Sequence, residues 1–234
     1  MTENTIAAGF AATFIKLAVA KGADRTQLLE RAGIEEQLLQ DMENRIPLES
    51  YILLVETAKK LCNESAISLH FGEMPLMPEM SIVFLICRSV RTVKEAFEQI
   101  NRYSQLALDA DGLGTSEGYV IKHDQQGAWL ELTHPVYQKY PQLTESGLAR
   151  IVSGAAKFFN DKPFALAIHV THDECDYKDE YQRVFNAPVT FNSHRNGIMV
   201  DEKFLSYELS PDTGYVFGIL SKHADEMLQK LQQS

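Results

Sequence analysis

The densest set of side chains that could bind a metal lies in the segment HVTHDECD, from His169 to Asp176. A metal site needs three or four such ligands converging on one point. In a β-strand, however, His169 and His172 would point to opposite faces, because side chains alternate along a strand. A strand that ends in an acidic turn is therefore the favoured interpretation. A metal- or haem-binding sensor or enzyme built on His169, His172, His134 and Cys175 stays open as an alternative.

A group of polar-tipped aromatic side chains lies in the segment WLELTHPVYQKYP, which contains Trp129, His134, Tyr137 and Tyr140. Small-molecule pockets combine apolar and aromatic walls with a few polar groups, so this group predicts a ligand pocket. The same residues would equally suit a corner of the core, because Tyr and Trp bury their rings while their polar tips stay hydrogen-bonded.

Arg88, which follows the apolar run SIVFLIC, is a second candidate for ligand binding. At the end of a buried helix, a guanidinium can bind a ligand carboxylate through two parallel hydrogen bonds. It could equally satisfy only the carbonyl groups at the end of the helix. The predicted ligand-binding residues are Arg88, Tyr103, Trp129, His134 and Tyr137.

Nucleophilic catalysis has no recognisable set of residues in this sequence. There is no GxSxG motif, and Ser153 lies in a helical pattern without the sharp strand-to-helix turn that a nucleophile elbow requires. Cys62 and Cys87 lie on apolar helical faces, where a thiol is usually a small buried hydrophobe. We therefore predict that the protein is not an enzyme and uses no cofactor.

The last helical segment, DTGYVFGILSKHADEMLQKLQQS, carries an apolar stripe that persists for about four turns. The stripe either docks on the chain's own core or forms the seam of a homodimer. The residues predicted for a dimer interface are Phe217, Leu220, Ala224, Met227, Leu228 and Leu231.

The elements that must position these residues change in character along the chain. The first hundred residues predict short helices, with N-cap signals at Asp24 and Thr92 and stop signals at Gly22 and Gly33. Beyond about residue 105, short Val- and Ile-containing segments separated by polar turns predict strands. The sequence therefore predicts an α+β fold, with an N-terminal helical bundle, a small mostly antiparallel sheet with packed helices, and a C-terminal helix.

This pattern predicts one compact domain in three parts. Residues 1–104 are the helical part, 105–211 the α+β ligand-binding part, and 212–234 the terminal helix. Within them, apolar periodicity predicts a first helix over 4–21 and a short helix over KDEYQRVF.

Charge and hydropathy limit the possible partners. The 234 residues carry a formal net charge of −10, which argues against contact with nucleic acid or an anionic membrane through bulk electrostatics. No apolar run approaches the roughly 18–20 residues of a membrane span. The N-terminus is acidic and lacks the basic region of a signal peptide. Together with three widely spaced cysteines, this predicts a cytoplasmic protein with reduced thiols.

Three segments together resemble the N-terminal, effector-sensing domain of one branch of the AraC/XylS transcription regulators, described as an arabinose-binding-like domain. The first is ADRTQLLERAGIEEQLLQDMENRIPLESYILLVETAKKL followed by ISLHFGE. The second is ICRSVRTVKEAFEQINRYSQL, and the third is HVTH followed by EYQRVFNAPVTFNSHRNGIMVDEKFLSYELSPD. The order and spacing of these segments carry the resemblance, which covers nearly the whole chain.

The resemblance implies a bacterial cytoplasmic regulator that senses a small-molecule effector and forms a homodimer. Such regulators normally carry a C-terminal module with helix-turn-helix motifs, whereas this sequence ends at Ser234, after the helix that would lead into that module. DNA contact is thus expected through that module and not through residues 1–234, which contain no basic recognition helix. Besides the metal or haem alternative, a scaffold whose terminal helix only pairs two chains also remains possible.

Overall fold

The computed structural model describes residues 4–75, 80–110, 118–125, 127–156, 163–209 and 214–233. The chain forms two compact units. The first comprises Met1–Asn63, Met77–Ser116 and Ser206–Ser234, and the second comprises Glu64–Leu76 and Glu117–Leu205. The predicted division of one compact domain into the consecutive parts 1–104, 105–211 and 212–234 remains a prediction.

Helices and strands are interspersed along the described residues. In chain order they are β1 (Thr5–Ala7), α1 (Ala8–Ala20), α2 (Arg25–Ala32), a 3₁₀ turn (Glu36–Gln40), β2 (Arg45–Pro47), α3 (Leu48–Leu61), α4 (Ile67–Glu73), α5 (Ile82–Cys87), α6 (Val93–Arg102), α7 (Ser104–Ala107), β3 (Leu108–Asp109), β4 (Tyr119–Asp124), β5 (Gly127–Leu132), α8 (Pro135–Lys139), α9 (Pro141–Ala156), β6 (Ala165–His169), α10 (Lys178–Phe185), β7 (Val189–Thr190), β8 (Asn196–Val200), a 3₁₀ turn (Glu202–Phe204) and α11 (Gly214–Gln232). The predicted α+β class, with a C-terminal helix, is confirmed.

Local capping explains where several helices begin and end. The Asp24 carboxylate accepts a hydrogen bond from the Gln27 backbone N–H at 2.8 Å, which starts α2. The same helix ends at Gly33, whose φ of 63° is the left-handed conformation that glycine adopts without steric penalty. Thr92 accepts from the Glu95 N–H at 3.1 Å and starts α6. These cap predictions are confirmed.

The first unit contains a three-stranded antiparallel sheet in the order β2-β1-β3. The predicted helix over 4–21 is wrong at its start, because Thr5–Ala7 is the central strand of this sheet and α1 begins only at Ala8. Partners distant in sequence, on β2 and β3, override the local helical pattern here.

Helix α11 packs on a buried cluster of the first unit through its apolar stripe. Ala224 is fully buried in that cluster. The side chains of α11 that pack against it are Phe217, Leu220, Met227, Leu228 and Leu231. On the other side of the helix, Tyr215, Val216 and Ile219 are exposed. All six residues that the sequence predicts for a dimer interface are therefore in contact with the chain's own core.

The second unit is built on a five-stranded sheet in the order β4-β5-β8-β6-β7. Its neighbouring strands are antiparallel except for β6 and β7, which are parallel. Leu130, Ile168 and Ile198, from its three central strands, are buried. Helices α4, α9 and α10 pack on one another in the same unit. Among the described helices, none is both long and apolar enough to cross a bilayer.

Helices α4 and α9 approach so closely at Gly72 that there is no room for a side chain. A Cβ atom at this position would lie 2.5 Å from Ala149 Cβ and 2.6 Å from the Ser146 carbonyl oxygen. Both neighbours belong to α9 and cannot move without shifting that helix. The crossing of α4 and α9 therefore requires glycine.

We expect Gly72→Ala to lower the free energy of unfolding by about 1–3 kcal/mol, because the added methyl group overpacks the helix crossing. Gly154→Ala is the matched control: it lies in α9 as well, and a Cβ there meets no atom within 4 Å. The control should be neutral or stabilising by up to about 1 kcal/mol. Urea unfolding measures both, and equal effects of the two substitutions would contradict the packing argument.

Candidate functional site

A cavity of about 220 Å³ lies in the first unit beside α11. Strand β1, strand β2 with the residues before it, the start of α5, and α7 form its other walls. Its lining residues are Ala7, Met42, Glu43, Arg45, Ser81, Ile82, Leu106, His223, Met227, Lys230 and Leu231. Apolar side chains therefore form most of the wall, and a few charged groups interrupt it.

Arg45 is the most deeply placed charged group of this cavity. Its Nη1 donates to the Leu106 carbonyl oxygen at 2.7 Å, its Nη2 to the Thr5 carbonyl oxygen at 3.0 Å, and its Nε to Thr5 Oγ1 at 3.1 Å. Burial lowers the pKa of Arg45 to about 10, and the nearby Asp109 carboxylate only partly opposes this shift. The guanidinium is thus a desolvated cation held in place by neutral acceptors.

The remaining charged groups lie nearer to solvent. His223 Nε2 lies 3.7 Å from Glu43 Oε1, so these two exposed side chains face each other. Lys230, one helical turn past Met227, is exposed. The cavity thus combines an apolar interior with cationic groups from two separate segments of the chain.

A polar anchor holds α11 next to this cavity. The hydroxyl of Tyr103 donates to Asp225 Oδ1 at 2.9 Å, and the Tyr103 ring is fully buried. Arg102 Nη2 donates to both Asp225 oxygens, at 2.9 and 3.0 Å. Tyr103 is a predicted ligand residue. In the structure it contacts α11 and is not among the residues that line the cavity.

Trp129, another predicted ligand residue, lies in the sheet of the second unit and is buried. The Arg195 guanidinium lies 4.4 Å from its ring centre, and the His169 ring centre lies 4.5 Å away. Arg195 Nη1 in turn contacts Asp124 and Glu131, each at 3.1 Å. The indole is therefore covered by an ion-pair network.

The structure also shows where the other three predicted ligand residues lie. His134 is buried and caps α8, because its Nδ1 accepts from the Val136 N–H at 3.3 Å. Tyr137 is buried, and burial raises its pKa well above the usual value. Arg88 is exposed at the end of α5. Because Arg88 and Tyr103 belong to the first unit and the other three to the second, the assignment of these five residues to one ligand site remains a prediction.

The histidines proposed as metal ligands are each engaged elsewhere. His169 Nδ1 contacts Ser193 Oγ at 3.0 Å, and His172 Nε2 contacts the Tyr181 hydroxyl at 2.9 Å. Within the part of the chain that the structure describes, no three His, Cys, Asp or Glu side chains are arranged to hold a metal ion. The positions of these side chains therefore do not support the metal alternative.

A buried carboxylate in the second unit was not among the residues that the sequence singled out. Glu145 of α9 is 1% exposed, and its Oε1 accepts from the hydroxyls of Tyr177 at 2.6 Å and Tyr181 at 2.7 Å. Its Oε2 is buried without a hydrogen-bond partner. A signal was available, because Glu145 lies on the apolar face of α9 with Leu148 at the i+3 position.

The charge of Glu145 changes the acidity of the tyrosines around it. Burial, and then the Glu145 carboxylate, raise the pKa values of Tyr177 and Tyr181 far above the usual value. Both hydroxyls therefore stay protonated and donate to the carboxylate. Replacing either donor would leave more of a buried charge unsatisfied.

Comparison with known proteins places the chain among the transcription regulators. Residues 22–209 match the family model of the arabinose-binding domain of AraC transcription regulators, N-terminal, and the chain belongs to this family. The resemblance of the three sequence segments is thereby confirmed. Among solved structures, the chain is similar to the crystal structure of the transcriptional regulator CdpR from Pseudomonas aeruginosa, at 19% identity and a TM-score of 0.48. That similarity covers 82% of this chain and 58% of the CdpR chain. No curated protein matches.

We expect Tyr181→Phe to lower the free energy of unfolding by about 1–3 kcal/mol, because the buried Glu145 carboxylate loses one of its two donors. Tyr215→Phe is the control, since Tyr215 is 83% exposed on α11. The control should change stability by less than about 0.5 kcal/mol. Urea unfolding near neutral pH measures both variants. A loss no larger for Tyr181→Phe than for the control would show that the hydroxyl does not stabilise the carboxylate.

The same tyrosine predicts a dependence on alkaline pH. Above about pH 10 an unfolded tyrosine releases its proton, whereas the raised pKa of Tyr181 keeps the folded hydroxyl protonated. The unfolded state then binds fewer protons than the folded state, so stability falls as pH rises. Tyr181→Phe lacks this contribution, and its stability difference from the wild type should shrink by up to about 1.4 kcal/mol per pH unit above pH 10. If stability falls with pH equally in the two proteins in this range, the raised pKa of Tyr181 is refuted.

Proposed function

We propose that this chain is the effector-sensing domain of an AraC-type transcription regulator, and that the first-unit cavity receives the effector. The single observation that carries this proposal is the position of α11, which supplies His223, Met227, Lys230 and Leu231 to the cavity wall. A molecule in the cavity would therefore contact the last described helix of the chain directly. The family is one of transcription regulators and not of enzymes, which agrees with a binding function.

The way in which α11 packs on the first unit supports a sensing role. The helix is held by one apolar stripe and by the anchor of Tyr103 and Arg102 on Asp225. A ligand that binds better to one position of the helix than to another shifts the population toward that position. The effector thus needs no contact with DNA to change the position of α11.

Homodimerisation, cytoplasmic location and DNA binding through a helix-turn-helix module outside these residues belong to the same proposal. They are supported by the family and by the net charge of −10, which disfavours DNA contact by the chain itself. Because the predicted seam residues pack on the chain's own core, a dimer would need another surface or a shifted α11.

A pair of substitutions on α11 tests the cavity. Met227→Trp adds a bulky ring to a residue that lines it, whereas Ile219→Trp adds the same ring to an exposed position of the same helix. A thermal-shift screen of small acids, amides, amines and sugars should find compounds that raise the Tm of the wild type. These shifts should be lost in Met227→Trp and kept in Ile219→Trp.

The effect on the helix is measured by hydrogen exchange. A cavity ligand should slow exchange of the α11 amides in the wild type, because it adds contacts to the face that lines the cavity. Compounds that bind Met227→Trp as tightly as the wild type would place the effector site elsewhere. Binding that leaves α11 exchange unchanged would separate ligand recognition from the proposed response.

A further inference from the structure

The structure assigns a ligand class to the cavity beside α11: a small apolar molecule that carries one carboxylate, bound through Arg45. This inference rests on the proposed effector role of the cavity and goes beyond it by naming the chemistry that is recognised. Its basis is the size of the cavity, the unused hydrogen-bond capacity of Arg45 and the distribution of charge around the wall.

The size of the cavity favours a compact molecule. The cavity measures about 220 Å³. For comparison, an apolar protein cavity of about 150 Å³ binds benzene. The space beside α11 therefore suits one ring or a short alkyl chain together with a small polar group. Ile82, Leu106, Met227 and Leu231 supply the apolar surface that such a body would cover.

Hydrogen-bond capacity points to a carboxylate. A guanidinium has five N–H donors, and Arg45 uses three of them, one on Nε and one on each terminal nitrogen. One N–H remains on each terminal nitrogen, and these charged donors can bind a carboxylate. Since its three present acceptors are two carbonyl oxygens and a hydroxyl, the charge of the guanidinium has no carboxylate bonded to it among the described residues.

The desolvation of Arg45 adds a driving force for an anion. Burial lowers the pKa of this guanidinium to about 10, which means that the cation is held in an environment that disfavours its charge. A bound carboxylate would add to the partial compensation that Asp109 gives this charge, in a place where the interaction is screened less than in water.

Charge around the wall disfavours a cationic ligand. Arg45 and Lys230 contribute two cations to the lining, one from β2 and one from α11. Glu43 is the acidic residue of the lining, and it faces His223 across 3.7 Å near solvent. The Asp109 carboxylate lies near Arg45 but is not in the cavity lining, so an ammonium group placed against Arg45 would meet a cation in the wall.

Matched sets of small compounds test the inference on the whole chain. The probes are benzoate, phenylacetate and hexanoate, their neutral amides, and benzylamine with hexylamine, at equal ionic strength near neutral pH. We expect the acids to raise the Tm and to bind at least about tenfold more tightly than the amides in titration calorimetry, and the amines to bind most weakly. Met227→Trp should abolish binding of the acids.

Two variants test the charged groups. Lys230→Gln removes one cation from the lining, and Lys222→Gln is its control, because Lys222 is an exposed residue of α11 that does not line the cavity. Lys230→Gln should weaken acid binding about threefold or more and leave the amides unchanged, while the control should change neither. Arg45→Lys keeps a positive charge without the fork of donors, and if it folds by circular dichroism it should lose most of the preference for acids.

Failure of this inference is distinguishable from failure of the proposed function. Amides that bind as tightly as the acids, or amines that bind better, would overturn the carboxylate assignment and leave a cavity that still receives an effector. The assignment is also overturned if none of these compounds raises the Tm. In that case the effector role of the cavity is still tested by the thermal-shift screen that compares the wild type with Met227→Trp and Ile219→Trp.

Discussion

The packing of α11 on the first unit is the interaction on which the candidate site depends. Ala224 is buried in the apolar cluster, and the next residue, Asp225, accepts hydrogen bonds from Tyr103 and Arg102. An apolar stripe alone would let the helix slide, whereas a polar anchor at one point also sets its rotation. With that rotation, His223, Met227, Lys230 and Leu231 form a wall of the cavity. Weakening the packing of α11 would therefore open the cavity and release the helix at the same time.

Arg45 joins the fold and the candidate site in a single side chain. Its three hydrogen bonds connect β2 to β1 and to α7, so the guanidinium stabilises the small sheet. The same group lies on the cavity wall as a desolvated cation. In the second unit the buried charge is negative. The Glu145 carboxylate is held by two tyrosine hydroxyls and has no guanidinium or ammonium group among its described partners. In both units a buried charge is stabilised mainly by neutral groups.

Much of the fold could be predicted because its signals are local. The α+β class is confirmed, and the helix predicted over KDEYQRVF is α10, which begins and ends at the same residues. The candidate site could be predicted only in part. Met227 and Leu231 were singled out for their stripe, but Arg45, Glu43 and His223 were not, because nothing in their own segments shows that they meet. Trp129 and His134 have the residue types of a ligand pocket, yet Arg195 covers the Trp129 ring, and His134 caps the helix that follows it.

The sequence by itself determined the family, the caps at Asp24 and Thr92, and the apolar face of α11, since each depends on residues within a few positions of one another or on the order of segments. Only the tertiary structure decided that Thr5–Ala7 is a strand, that α11 turns its stripe toward its own chain, and that Glu145 is buried. These outcomes depend on partners roughly 30 to 120 positions away along the chain, for example Arg45 for Thr5 and Tyr103 for Asp225. Local patterns cannot encode which distant surface a side chain meets, because that choice is made by the packing of the whole unit.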